Sequence, residues 1–262
     1  MPETDASLTG CLACPACNAV ARAPYCQAQD WQLFACLACG LIYLDPIPGP
    51  VALAALYHDA YDGAQTGYFA KSDSKLRRSL VRLRIIQRHR KTRGGNFLDI
   101  GCNGGFMVEA ARRTGFTAWG IEPDAVSIDY ARKHFPGNQY FHGLIADFEP
   151  KDTREDNNAA PVRFDVAYCS EVIEHVPQPQ PFLRDIYRLL LPGGLLYLTS
   201  PDISHWRRPR KLTNWDGFCP PSHALYFNPK NLISLVQRCG FELVSRRPAW
   251  KPGIKLLLRR PL

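Results

Sequence analysis

A doubly wound α/β fold, with a mostly parallel sheet of seven strands behind a small cysteine-bearing ribbon, is what this sequence predicts. Three observations carry that expectation. From about residue 95, short apolar runs alternate with segments of helical period. A glycine-rich turn, Gly101-Cys102-Asn103-Gly104-Gly105, follows the first of those runs. Two Cys-x2-Cys pairs, Cys14/Cys17 and Cys36/Cys39, stand near the start with eighteen residues between them.

The bulk numbers fit that picture. With 262 residues and 46% hydrophobic composition, the chain supports one sizeable core and a smaller module, and disorder is not the expectation. No apolar run approaches the roughly 18 to 20 residues that span a bilayer, and the first ten residues are polar and acidic, so the expectation is a soluble, cytoplasmic protein. The net charge of +8 suits an anionic partner such as a nucleotide-linked sugar, nucleic acid or a membrane surface; it also serves solubility alone.

Of the ten cysteines, five crowd into Cys11, Cys14, Cys17, Cys36 and Cys39 without a signal peptide, a pattern that favours metal over disulfides. Cys11 competes with Cys17 as the partner of Cys14. Asn18 and Gly40, both tolerant of positive φ, follow the second cysteine of each preferred pair, as a tight turn back toward sulfur requires. The expected ligands are therefore Cys14, Cys17, Cys36 and Cys39. Four thiolates close a tetrahedral site, so the zinc is structural, and a module of residues 1–45 is too small to fold without it. A docking surface for substrate or RNA is its alternative role.

Residues 46–94 read as a linker and a basic helix. Three prolines between Asp45 and Pro50 stiffen the start, and a short helix is expected at 51–57. Tyr57, Tyr61, Tyr68 and Phe69 then either cap a pocket or pack between modules. Over residues 74–93, Leu76, Leu80, Leu83 and Ile86 recur at helical spacing among nine Lys or Arg residues; the basic face is solvated or binds phosphate.

The remaining domain, 95–262, shows strands at 96–101, 117–121, 140–142, 164–169, 195–199, 241–245 and 254–259, with helices at 107–113, 125–134, 181–191 and 228–239. Residues 150–162 are a polar surface insertion. The irregular stretch 201–227, with Trp206, Trp215 and His223, lies beyond a strand's C-terminal end and is a candidate substrate cover.

In such a sheet, ligands bind outside the strand C-termini where the strand order reverses. Glycines at 101–105 let the backbone approach a ligand, and the following helix offers free amides to a negative group. The spacing is not the dinucleotide G-x-G-x-x-G. Asp99, just before the turn, would repel pyrophosphate and suits a positively charged amino-acid ligand.

Residues 98–106 resemble motif I of the class I S-adenosylmethionine-dependent methyltransferases, usually L-D-I-G-C-G-x-G, with Asn103 where the family has its middle glycine. The likeness covers roughly residues 95–262. It extends through Gly120-Ile121-Glu122-Pro123-Asp124, Phe164-Asp165-Val166, Glu171 to Val176, and Leu190 to Gly194. The resemblance implies a Rossmann-like methyltransferase fold that binds S-adenosylmethionine through Asp99, Gly101, Asn103, Gly105, Phe106, Glu122, Asp147 and Cys169. Glu122 would hold the ribose hydroxyls, and Asp147 the adenine amino group. The cysteine pairs, Pro-rich linker and Tyr-rich stretch resemble a bacterial subgroup that carries a zinc ribbon and is associated with sugars, surface polysaccharides or secondary metabolites.

Methyl transfer from a sulfonium needs alignment and exclusion of water more than covalent help, and positioning supplies up to roughly 7 to 11 kcal/mol. An acceptor hydroxyl also needs a base. His175 and His223 are the candidates, each with an alternative role as a loop-holding residue. Glu171 can also stand near the sulfonium. Glu171, Glu174, His175 and His223 together resemble the divalent-cation constellation of ubiquinone-type O-methyltransferases and small-RNA 2'-O-methyltransferases, although Glu-His-Val after strand four also resembles metal-free relatives. The expected function is methylation of a small-molecule or sugar acceptor, at oxygen before nitrogen or carbon. An RNA methyltransferase and a non-catalytic zinc-ribbon interaction protein are the alternatives.

Overall fold

The computed structural model describes residues 8–9, 13–49, 72–90, 92–151 and 161–262. The helix expected at 51–57, the four aromatics between Tyr57 and Phe69, and Cys11 lie outside those residues.

The ribbon contains β1 (Leu8–Thr9), β2 (Arg22–Ala28), β3 (Trp31–Cys36), β4 (Ile42–Leu44) and β5 (Ile47–Pro48). Strands β2, β3 and β4 form an antiparallel meander, while β1 pairs with β5. Two equivalent turns close it. In the first, the Asn18 amide donates to the Cys14 carbonyl (2.8 Å); in the second, the Gly40 amide donates to the Cys36 carbonyl (2.9 Å). Asn18 (φ 62°) and Gly40 (φ 72°) are both left-handed, as the sequence predicts.

The basic helix is α1 (Ser72–Gln87) and buries Leu83 and Ile86, with Leu76 and Leu80 packed beside them. It ends six residues before the expected limit at Arg93. The Arg90 side chain turns inward there, donating to the Gly94 carbonyl (2.7 Å) and to Asp165 Oδ1 (3.0 Å), and the last turn unwinds to allow it.

Next come β6 (Gly95–Ile100), α2 (Phe106–Arg113), β7 (Phe116–Glu122), α3 (Ala125–His134) and β8 (Gln139–His142). They are followed by β9 (Phe164–Ser170), α4 (Pro179–Leu189) and β10 (Leu190–Ser200). The chain finishes with β11 (Leu225–Tyr226), α5 (Pro229–Arg238), β12 (Glu242–Arg246) and β13 (Ile254–Arg259). The large sheet has seven strands in the order β12-β13-β10-β9-β6-β7-β8, and β13 runs antiparallel to both its neighbours. Its strand order reverses between β6 and β9.

Two stretches differ from expectation. Strand β10 begins at Leu190 rather than 195: the Gly193 amide donates to the Arg260 carbonyl and the Arg260 amide to the Gly194 carbonyl, so the expected Pro-Gly-Gly turn becomes an irregularity within the strand. The cover stretch 201–227 contains β11, which adds to β4 as a fourth strand of the ribbon sheet (Leu225 opposite Tyr43, Tyr226 opposite Ile42). The ribbon sheet thus draws on both sides of the boundary expected at residue 45.

Alternation along the strands separates two cores. Phe97, Val166, Leu195 and Leu257 face α1 and α2; Leu98, Ala167, Leu196 and Leu258 face α4, α5 and the ribbon. Arg238 on α5 donates to the Ala16 carbonyl (2.6 Å), and Gln180 on α4 reaches Asn18 Oδ1 (3.2 Å), so both helices seat the ribbon.

Helix α2 lies close to the sheet because Gly120 has no side chain. A Cβ there would stand 2.6 Å from Cys102 Sγ and 3.0 Å from Val108 Cγ2. Gly120→Ala is therefore expected to lower stability by about 1 to 3 kcal/mol in denaturant titration through overpacking; a change within about 0.5 kcal/mol would refute this close packing.

Candidate active site

The glycine turn leaves the C-terminal end of β6 at the point where strand order reverses. Gly101 (φ 72°) starts it; a Cβ there would lie 2.5 Å from Val172 Cγ2. The amides of Gly101 and Cys102 both donate to the Ile121 carbonyl (2.9 Å each). Asn103 takes a left-handed φ of 45°, so it fills the glycine's conformational role, and its Oδ1 accepts from the Gly104 amide (2.7 Å). Its Nδ2 is buried with no partner among the described residues.

Glu122 at the end of β7 holds the turn from the other side. Its Oε2 accepts from the Asn103 amide (2.9 Å) and its Oε1 from the Asp124 amide (3.1 Å). Burial nonetheless raises its pKa. Asp99, also buried, has no hydrogen bond or ion pair from the described residues; burial first, then the nearby Glu122 charge, pushes its carboxyl well above the usual range. Two desolvated carboxyls under a turn with spare donors form a cradle for a cation that also carries acceptors.

Asp147 is exposed at the end of a 3-10 turn, Ile145–Asp147. Gly105 caps α2. Phe106 and Cys169, expected to help bind the cofactor, stand at the start of α2 and near the end of β9. The Phe106 ring packs on Phe135 and Tyr130 (centroids 5.6 and 6.0 Å apart), and Cys169 is wholly buried in the core beneath the strand ends.

A second cluster lies where β9 ends. Glu174, His175 and His223 bring one ligand atom each within 4.8 Å of one another. The imidazole rings of His175 and His223 meet edge to face, 4.5 Å apart. Nδ1–H of His175 donates to the Ser222 carbonyl (2.7 Å) and Nδ1–H of His223 to the Gly217 carbonyl (3.0 Å), which leaves the lone pair of each ring on Nε2. Burial lowers both pKa values, that of His223 to about 4 with a further contribution from His175. Glu174 is buried; its Oε2 accepts from Ser200 Oγ (3.0 Å), while Oε1 has no partner among the described residues. Burial first, then Glu171, raises its carboxyl well above the usual range.

Glu171 does not join them. It is exposed and in a left-handed conformation (φ 58°), and its Oε1 accepts from Thr199 Oγ1 (2.7 Å). The four-residue cation constellation therefore reduces to three. Ser200, the carbonyls of Ser222 and Gly217, and the Thr199 hydroxyl are partners that sequence reasoning missed. A hydroxyl at the end of a central strand was the one available signal, since carbonyl positions have none.

The ribbon's four cysteines converge as expected. Cys14 and Cys39 sulfurs are 3.6 Å apart, Cys17 and Cys36 sulfurs 3.5 Å, and all four lie within 4.8 Å of one another. Zn–S bonds of about 2.3 Å place tetrahedral sulfurs roughly 3.8 Å apart, so the cluster has the geometry of a small zinc-binding module. A hydrogen bond from Cys14 lowers the Cys39 thiol to about 5, and that bond together with burial raises Cys14.

Residues 68–246 match the family described as a methyltransferase domain, and the chain belongs to that family. Its fold is that of the class I S-adenosylmethionine-dependent methyltransferases. Over 120 residues the chain is 33% identical to the ubiquinone biosynthesis O-methyltransferase of Thiobacillus denitrificans, and 32% identical to the protein of the same name from Pseudomonas aeruginosa; each match covers 46% of this chain and 50% of the relative. The chain thus spans about half the length of the curated relatives it matches. Among solved structures, the 1,6-didemethyltoxoflavin-N1-methyltransferase of Burkholderia thailandensis superposes with a TM-score of 0.58 at 14% identity, covering 91% of this chain and 99% of that one. A possible histamine N-methyltransferase from Thermotoga maritima gives 0.55 at 17% identity, covering 79% and 98%. These two likenesses show the fold. No helix among the described residues is long and apolar enough to cross a membrane.

Glu122→Gln would leave only one acceptor for the two amides that Glu122 now holds. The variant is expected to lose about 1 to 3 kcal/mol of stability and to speed hydrogen exchange at the Asn103 or Asp124 amide; unchanged exchange at both would show that Glu122 does not hold the turn.

Proposed function

We propose that this protein transfers a methyl group from S-adenosylmethionine to a hydroxyl of a small-molecule acceptor. The observation that carries the reading is the pairing of two sites at the strand C-termini: an acidic pair, Asp99 and Glu122, buried without an ion pair among the described residues, and the Glu174–His175–His223 cluster after β9. The names of the ubiquinone O-methyltransferase relatives support oxygen as the acceptor atom.

In this reading Asp99 faces the positive charge of the cofactor, which a buried and unpaired carboxylate favours. The amides at the start of α2 receive its carboxylate. Glu122 takes the ribose hydroxyls while retaining the turn, Asn103 Nδ2 gains the partner it lacks, and Asp147 takes the adenine amino group. The backbone of Gly101 and Gly105 permits the close approach. At neutral pH both imidazoles are neutral, and Nε2 of His223 receives the hydroxyl proton as the acceptor oxygen becomes nucleophilic. Glu171 borders the reacting centre from the turn after β9.

The same three residues also fit a divalent cation. Both rings give their Nδ1–H to backbone carbonyls, the usual support for Nε2 ligation, and Glu174 Oε1 is an orphaned buried acceptor. When bound, such a cation polarises an acceptor hydroxyl. Cys14, Cys17, Cys36 and Cys39 hold a structural zinc, with four sulfurs and no open position.

The test is calorimetric titration with S-adenosylmethionine in buffers of different ionisation heat. Asp99 and Glu122 titrate high in the free protein, and a bound cation favours their ionised forms. Binding therefore releases protons, and affinity rises with pH through the raised range. Asp99→Asn should reduce the release. Absence of S-adenosylmethionine binding would overturn the enzyme reading, and binding without proton release would overturn the role of Asp99.

A further inference from the structure

A cavity of about 390 Å³ opens on the α1 face of the sheet, and five cationic side chains line it: Arg77, Arg78 and Arg82 from α1, Arg247 after β12, and Lys255 on β13. None of the five forms an ion pair among the described residues. Arg78 and Arg82 stand four residues apart on one helix, an arrangement that costs a few tenths of a kcal/mol through like-charge repulsion. Arg247 and Lys255 come from a different part of the chain and bring further positive charge to the same space. Ile85 and Tyr197 also line it, and the Tyr197 ring stacks on Tyr168 at 5.4 Å; Arg82 Nη1 donates to the Tyr168 hydroxyl (2.7 Å).

The cavity adjoins the candidate active site. Lys255 lies opposite Thr199 in the β10–β13 pairing, and Thr199 gives its hydroxyl hydrogen bond to Glu171. Arg82 and Lys255 both act electrostatically on Glu171, and Arg82 also acts on Asp99. A site at the low end of the roughly 300 to 1,000 Å³ of small-molecule pockets, lined by five cationic side chains together with Val81, Ile85, Pro248 and Tyr197, fits a compact anion joined to a less polar body. Arginine forks in particular match phosphate oxygens.

We propose that this cavity anchors a phosphoryl or diphosphoryl group on the methyl acceptor, so that the acceptor's reactive hydroxyl lies past Glu171 toward His223. The inference rests on the methyl-transfer reading and specifies its substrate class: a phosphorylated small molecule. A cavity of about 390 Å³ holds one such group, whereas a polynucleotide track needs a groove along several phosphates.

Inorganic pyrophosphate is the probe, titrated calorimetrically into the full-length protein with S-adenosylhomocysteine bound. Saturable one-site binding is expected, weakened by at least about tenfold in Arg247→Gln/Lys255→Gln, as loss of charge-assisted hydrogen bonds implies. S-adenosylhomocysteine affinity should stay within about twofold, which shows that the variant folds. In the wild-type protein, bound pyrophosphate should also protect Lys255 from amine acylation, read by mass spectrometry, so a misfolded variant leaves the proposal testable. No pyrophosphate binding, equal binding by the variant, or an unprotected Lys255 would overturn it. So would tight binding of a single-stranded RNA oligonucleotide or of phosphatidylglycerol vesicles that pyrophosphate does not displace. If S-adenosylhomocysteine itself does not bind, the methyl-transfer reading fails; if it binds and pyrophosphate does not, only the anion site fails.

Discussion

The arrangement of the candidate catalytic cluster depends on a two-residue strand pairing. Leu225–Tyr226 lies on the edge of the ribbon, opposite Ile42 and Tyr43, and the adjacent Ala224 is held from both sides: its carbonyl accepts from the Leu44 amide (3.0 Å), and its amide donates to the Glu174 carbonyl (3.0 Å). Ribbon, cover and the loop after β9 are thus joined in one row of backbone hydrogen bonds. His223 is the residue before Ala224. Its position therefore depends on the ribbon edge, and the ribbon, with so little core of its own, depends on the four-cysteine cluster.

Carboxylates show where this fold is structural and where it is poised for chemistry. Glu109 is buried on α2, yet hydrogen bonds from Arg112, Arg113 and Asn138 outweigh the desolvation that would raise its pKa and take the carboxyl down to about 2. It is a satisfied group that fixes the start of the sheet's helical layer. Asp99 and Glu174 are as deeply buried and form no ion pair among the described residues; the charge of Arg82 only partly offsets the burial of Asp99, and both titrate high. Burying a carboxyl without a counter-charge is unfavourable for folding alone. The two uncompensated acids lie at the strand C-termini, at the switch between β6 and β9, where an incoming ligand can supply the missing charge.

Local chemistry made much of this legible in the sequence. Asn18 and Gly40 mark the two cysteine turns because few residues adopt positive φ without strain, and that choice selects Cys17 over Cys11 as the partner of Cys14. Glycines at the end of an apolar run mark the turn after β6, and the acidic end of β7 marks Glu122. What the sequence left hidden has a common cause: it depends on distant chain. A two-residue strand has no periodicity, so β11 read as part of an irregular cover. Phe106 and Cys169 take their side-chain neighbours from other segments: Tyr130 and Phe135 around Phe106, the core around Cys169. Glu171 and Glu174 are three residues apart, and a left-handed backbone at Glu171 sends its carboxylate to Thr199 rather than to the histidines. The cationic cavity was half visible as the basic face of α1; Arg247 and Lys255, which complete it, come from the far end of the chain.

The dependence of the cluster on the ribbon is measured most directly by amide hydrogen exchange at Ala224, before and after chelation of the metal from the zinc-loaded protein. Coupled modules predict that the Ala224 and Leu44 amides lose protection together when the cysteine turns open, while the amides of β6 keep theirs. Ala224 remaining protected after the amides of Asn18 and Gly40 have become exchangeable would contradict the account.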